Sequence, residues 1–332
     1  MQRRDDLPEM TLPLAVLLTL LSCALSALAA YLMTSGKAGV AAAVFLVPAV
    51  SCLYSLVILL WRRLASLTAT PLSVALMLLT GSGLYETAVI SATVLLCSYV
   101  YATSMMAKEN KFRRMISLSL SFSLCAFLAL IGYAGLNYSS AEEFLSASLA
   151  GLAGLTAKLN TSAQTDVDSL TRSILLLIPA VIAIVGECAA FLTELLTYNA
   201  MRVLDCDEVF VSRVRDGSST TMPKTYAAVF LASLVLSALT SPYLNPLVYA
   251  SLKNVMLSLI LPCAAVGFSS LVNRREDEYF YMTGKRILGF LLMALMLAAL
   301  GMRLFAVLLA VLGAIRAIRS KNSQSTADNT QT

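Results

Sequence analysis

One apolar run of about 20 residues follows another along this chain, and that repetition constrains the fold more than any other feature. Runs of that length read as transmembrane helices. With 58% hydrophobic and only 13% charged residues, the chain belongs to the class of multi-pass α-helical membrane proteins. The longest stretch outside an apolar run, the 36 residues from Asn137 to Arg172, is too short for an independent core. The expected fold is therefore all-α, a polytopic transmembrane helix bundle of about 8–10 spans forming a single integral membrane domain over residues 1–332.

The spans are predicted at 11–33, 39–61, 66–80, 85–106, 115–136, 173–198, 225–241 and 247–272, followed by 286–319 with a break at Gly301-Met302-Arg303. Ser35-Gly36-Lys37 and Gly81-Ser82-Gly83 are turn signals between neighbouring spans. Span 66–80 is short and contains Pro71, while Pro179 and Pro262 are read as kinks in theirs. Acidic Asp5, Asp6 and Glu9 ahead of a full-length apolar run favour an uncleaved first span over a signal peptide. The Ser/Asn/Gln/Thr-rich tail, 320–332, is expected to be disordered.

Placing both termini in the cytoplasm puts every lysine and arginine of the 24 on the inner side except Lys37, Lys158, Arg172, Lys253 and Arg303. On that map 137–172 lies outside, with both Asn-X-Ser sequons, and 199–224 inside. In the outer segment Ser140 and Glu143 make a capping box, and Leu145, Leu149, Leu152, Leu155 and Leu159 recur at helical spacing. This predicts an amphipathic surface helix, either an interfacial connector or a lid. The inner loop mixes basic and acidic residues, closes on Met222-Pro223-Lys224, and is either a solvated connector or a docking surface for partner subunits.

The chain has no histidine, which removes the commonest general base and the His-dependent nucleophile pairs and zinc sites. No enzyme is expected. The seven cysteines are scattered, without CxxC, and read as packing residues. No glycine-rich phosphate cradle is present, so no ATP chemistry and no cofactor is expected of this chain. The inner-face basic residues, including Lys108, Lys111, Arg113 and Arg114, fit anionic lipid of the bilayer and not nucleic acid.

The candidate site residues are the polar groups inside apolar runs. Glu187 falls near the middle of its span, where a carboxyl costs about 2.5–3.5 kcal/mol on insertion scales and needs a partner, water or a function. Its bland alternative is a protonated or hydrogen-bonded carboxyl that merely fixes helix packing. Glu194, seven residues on and nearer the inner face, is read as solvated. Lys253 and Asn254 are the next polar pair. Lys253 either snorkels toward the outer boundary or meets a substrate anion or Glu187.

The order of parts carries a resemblance. A long outer segment, Leu177-Ile178-Pro179, a charged inner loop ending in Met222-Pro223-Lys224, and Asn245, Gly267 and Gly313 in a closing set of spans together resemble the YybS-like family of uncharacterised bacterial membrane proteins, from about Asn137 to Arg319. Ala314 to Arg316 stand where that family has an acidic residue near the end of the last span. The resemblance implies a bacterial cytoplasmic membrane protein without an assigned reaction. More remotely, the layout is similar to the substrate-binding integral components of energy-coupling-factor vitamin transporters, whose ligand motifs are not visible here. The resulting expectation is a non-enzymatic bundle with an outward-facing cavity near the sixth and eighth spans, binding or passing a small solute through Glu187, Lys253 and Asn254. It would draw on an ion gradient or on partner subunits. The alternatives are an assembly or scaffold protein of the cell envelope and, more weakly, an intramembrane enzyme.

Overall fold

The computed structural model describes residues 12–61, 63–107, 109, 111–140, 143–144, 146–147, 150, 176–204, 222–240, 246–272 and 304–319. All regular structure among them is helical. The chain divides into two compact units, Met1–Asp216 and Gly217–Thr332. The first holds α1 (Leu12–Thr34), α2 (Lys37–Trp61), α3 (Arg63–Leu79), α4 (Leu84–Met106), α5 (Lys111–Asn137) and α6 (Ile178–Val203). The second holds α7 (Lys224–Thr240), α8 (Pro246–Val272) and α9 (304–319). Helices α1, α2, α4, α5, α6 and α8 are long and apolar enough to cross a membrane. With 17 residues each, α3 and α7 are shorter than a full span. The leucine stripe at 145–159, the inner-loop residues 205–221, the turn at 242–245, the predicted break at 301–303 and the tail lie outside the described residues.

Local chemistry sets the helix ends. Gly36 turns α1 into α2 at φ 91°, and Gly81 ends the α3 segment at φ 82°. At Gly81 the amides of Gly81 and Ser82 reach back to the carbonyls of Leu78 (3.1 Å) and Met77 (3.2 Å), the paired bonds of a Schellman motif. No other atom lies within 4 Å of a Cβ placed there, so only backbone strain opposes one. Gly81→Ala is expected to destabilise the chain by about 1–2 kcal/mol, read as a lowered unfolding midpoint in detergent. Pro179 occupies the first turn of α6, where its missing N–H is unpaired in any helix. It opens the helix instead of kinking it, and α6 runs to Val203, five residues past the predicted end. After α5, the Ser140 hydroxyl accepts the Glu143 amide at 3.1 Å and the Glu143 carboxylate accepts the Ser139 amide at 2.8 Å. That bond to Ser139 holds the exposed Glu143 carboxyl below its ordinary pKa.

In the first unit α2 is the central helix, in contact with α1, α3, α4 and α6. Its apolar window is 67% buried, against 11% for α8 in the second unit, so α2 presents little surface to lipid. Between helices in lipid the drive is close packing and polar contact, and small residues supply the first. Ala27, Ala30, Ala43, Ser22 and Ser26 are buried between α1 and its neighbours. Polar contact comes from a serine seam between α2 and α4, where the Ser98 hydroxyl donates to the Ser51 carbonyl at 3.0 Å. The Ser55 hydroxyl donates to Ser51 O at 2.6 Å and to Ser98 O at 3.4 Å.

In the second unit α7 packs on α8. Met222, just ahead of α7, is buried with its sulfur 3.8 Å from the Cys263 sulfur of α8. Helix α8 crosses α9 where Gly267 and Gly313 meet, close enough that a Cβ on either would overlap backbone of the other helix.

Candidate functional site

Glu187 and Glu194 lie seven residues apart on α6, so they share a face about 10 Å apart along the axis. Their surroundings differ completely. Glu194 is 4% exposed and meets Arg114 of α5, itself 2% exposed. Arg114 Nε donates to Glu194 Oε2 at 3.2 Å and Arg114 Nη2 donates to Glu194 Oε1, a two-pronged charged contact. Arg114 Nη1 also reaches the Glu109 carbonyl oxygen at 3.5 Å, and the Tyr101 ring of α4 lies 5.8 Å from the guanidinium carbon. Two ions removed from solvent need this degree of mutual satisfaction, because desolvation costs several kcal/mol per ion.

The reading of Glu194 as solvated, and of Arg114 as one of the inner-face basic residues that answer anionic lipid, is thereby corrected. The sequence did carry a signal. Arg114 continues the buried stripe of Leu118, Ser121, Phe122 and Cys125 at helical spacing, and Arg113 points away from it. Glu194 likewise falls among Ala190, Thr193, Thr197 and Met201, the buried stripe of α6.

Glu187 lies within about one turn of the middle of α6. The residue is half-buried, yet its Oε2 is out of contact with solvent and has no hydrogen-bond partner among the described residues. Beside it, Gly186 brings α6 directly against α5. A Cβ at Gly186 would overlap the Ser123 hydroxyl and lie 2.7 Å from the Ser119 carbonyl oxygen, and Ser123 Oγ donates to Ile182 O at 3.4 Å. With Arg114 meeting Glu194, these contacts run the two helices antiparallel.

Lys253 and Asn254 belong to α8 of the second unit, whereas Glu187 belongs to the first, and each is placed within its own unit. Both α8 residues are half-buried. The Lys253 ammonium lies 4.3 Å from the ring centroid of Tyr249, one turn nearer the start of α8, so the side chain folds back toward the helix N-terminus. The backbone carbonyl oxygen of Asn254 accepts the Ser258 hydroxyl at 2.7 Å.

Another polar cluster sits among α1–α4. Tyr54 Oη and Cys23 Sγ both donate to the Ala69 carbonyl oxygen, at 3.3 and 3.6 Å. Ser26, Thr70, Ser73 and Ser91 line the gap beside it, which leaves no room for a water molecule. This cluster is closed packing and offers a solute no space.

These features define a multi-pass helical membrane protein in which, among the described residues, Arg114 and Glu194 neutralise one another and Glu187 Oε2 has no partner. Comparison with protein-family models, with characterised proteins and with solved structures finds no match to the chain.

Proposed function

We propose that the chain binds or passes a small solute across a bacterial cytoplasmic membrane as a non-enzymatic component, driven by an ion gradient or by partner subunits. The observation that carries this reading is the unpartnered Oε2 of Glu187. Glu194 finds its partner in Arg114 and Ser98 in the Ser51 carbonyl. Ser51 Oγ, Ser82 Oγ, Thr87 Oγ1 and Tyr101 Oη are also buried without a hydrogen-bond partner among the described residues, but Glu187 Oε2 is the carboxylate oxygen among them. A carboxyl kept near mid-span without a partner is kept against the insertion cost, and its spare oxygen is a contact for something that comes and goes. The reading takes both termini to be cytoplasmic and takes the sequence's likeness to the YybS-like family as kinship, and in the second unit it gives Lys253 and Asn254 as candidate contacts in their own right.

Glu187→Gln preserves shape and removes the charge. The wild-type protein, screened against metabolites and vitamins, should gain about 2.7 kcal/mol of stability from a ligand at a hundred times its Kd. Glu187→Gln should express and fold like wild type and lose that gain. A variant that keeps the ligand-induced shift, or that fails to fold with or without ligand, would overturn the reading. Co-purification of cell-wall or division proteins in place of any ligand response would return the envelope-scaffold alternative.

A further inference from the structure

We infer that Glu187 binds a small monovalent cation, a proton or an alkali ion, and this rests on the solute reading of the same residue. The inference comes from charge counting along α6. Helices α2 and α5 pack against it. On α2 the titratable groups are Lys37, at its first residue, and the Cys52 and Tyr54 side chains. On α5 they are Lys111, Arg113, Arg114, Cys125 and Tyr133. Lys111 and Arg113 stand in the first turn of α5, and the fork of Arg114 is filled by Glu194. On α6 itself the other titratable groups are Cys188, Glu194, Tyr198 and Arg202, the last in the final turn. None of the cations on these three helices is therefore left at the level of the Gly186 crossing to neutralise Glu187.

An ionised carboxylate at this depth without a counter-charge is too costly to persist. One proton on the carboxyl, or one alkali ion against its oxygens, supplies the missing charge. The stoichiometry fixes the valence. Glu194 lies about 10 Å away along α6 and is already neutralised, so a divalent ion at Glu187 would leave an uncompensated positive charge. A cation bound here uses the same carboxyl as the solute reading, so the binding of one changes the affinity for the other, which is the coupling an ion gradient needs.

Dicyclohexylcarbodiimide, an apolar reagent that adds to protonated carboxyl groups, tests this on the purified full chain, with adducts located by mass spectrometry. Glu187 should be modified, and Glu187→Gln should remove that adduct. If the ligand is a proton, modification falls at least about tenfold as the pH rises. If it is an alkali ion, sodium or potassium chloride protects Glu187 to the same degree, compared with choline chloride at equal ionic strength. Modification that ignores both pH and salt, or the absence of any Glu187 adduct, overturns the inference. The readout contains no solute, so the two proposals fail separately. Ligand-induced stabilisation that depends on Glu187 but ignores pH and salt leaves the solute reading standing and sinks the cation. A cation response without any ligand effect does the reverse.

Discussion

Replacing Arg114 with methionine is expected to destabilise the protein by about 3–5 kcal/mol, because Glu194 would then be a buried carboxylate with no counter-charge. Replacing both, as Arg114→Met with Glu194→Leu, should restore stability to within about 1 kcal/mol of wild type, since the double variant removes the desolvation cost together with the attraction. The comparison is a double-mutant cycle on unfolding midpoints in detergent. The rescue is the informative part. A double variant whose loss equals the sum of the two single losses would mean that the two residues contribute separately, against a geometry in which two guanidinium nitrogens meet both carboxylate oxygens.

The other large effect is expected where α8 crosses α9. A Cβ on Gly313 would overlap the Cys263 carbonyl oxygen and lie 2.7 Å from the Gly267 nitrogen, and a Cβ on Gly267 would overlap the Leu309 carbonyl oxygen. These obstacles are backbone atoms, so no side-chain rotation relieves them and the helices must separate. Gly313→Ala should cost about 1–3 kcal/mol, and Gly313→Val more, measured as loss of thermal stability of the full chain. Gly135, with no atom within 4 Å of its would-be Cβ, is the control: Gly135→Ala should leave stability unchanged or slightly raised. Equal behaviour at Gly313 and Gly135 would mean that α8 and α9 do not approach this closely.

What could be read from sequence divides along a physical line. The turns at Gly36 and Gly81 were legible because a left-handed residue is a local need that glycine meets by itself. The all-helical class was legible for the same reason, since each long apolar run declares itself without reference to its neighbours. Pro179 was misread as a kink because an apolar run shows where lipid begins, not where hydrogen bonding begins. Arg114 was misread because the basic cluster was taken as a block, although its helical phase separates it from Arg113. The approach of Gly267 to Gly313 is different in kind. Both glycines stand out in the sequence, but what they touch depends on which helices become neighbours. The same holds for Glu187: its depth is written in the sequence, and the lack of a partner for Oε2 among the described residues depends on which helices become its neighbours.

The serine seam of α2 has a consequence in time. A ribosome adding about 5–20 residues per second finishes α4 about 2–9 s after α2, because 45 residues separate Trp61 from Met106. Through that interval the most buried helix of the first unit sits in the bilayer without its principal polar neighbour. Ser55 already donates to Ser51 O within its own helix, so it can wait without an unmet donor. Ser98 then arrives on α4 carrying the donor that joins the same oxygen. The newborn helix is thus provisioned for solitude, and the carbonyl it uses while alone is the one that later fastens it to α4.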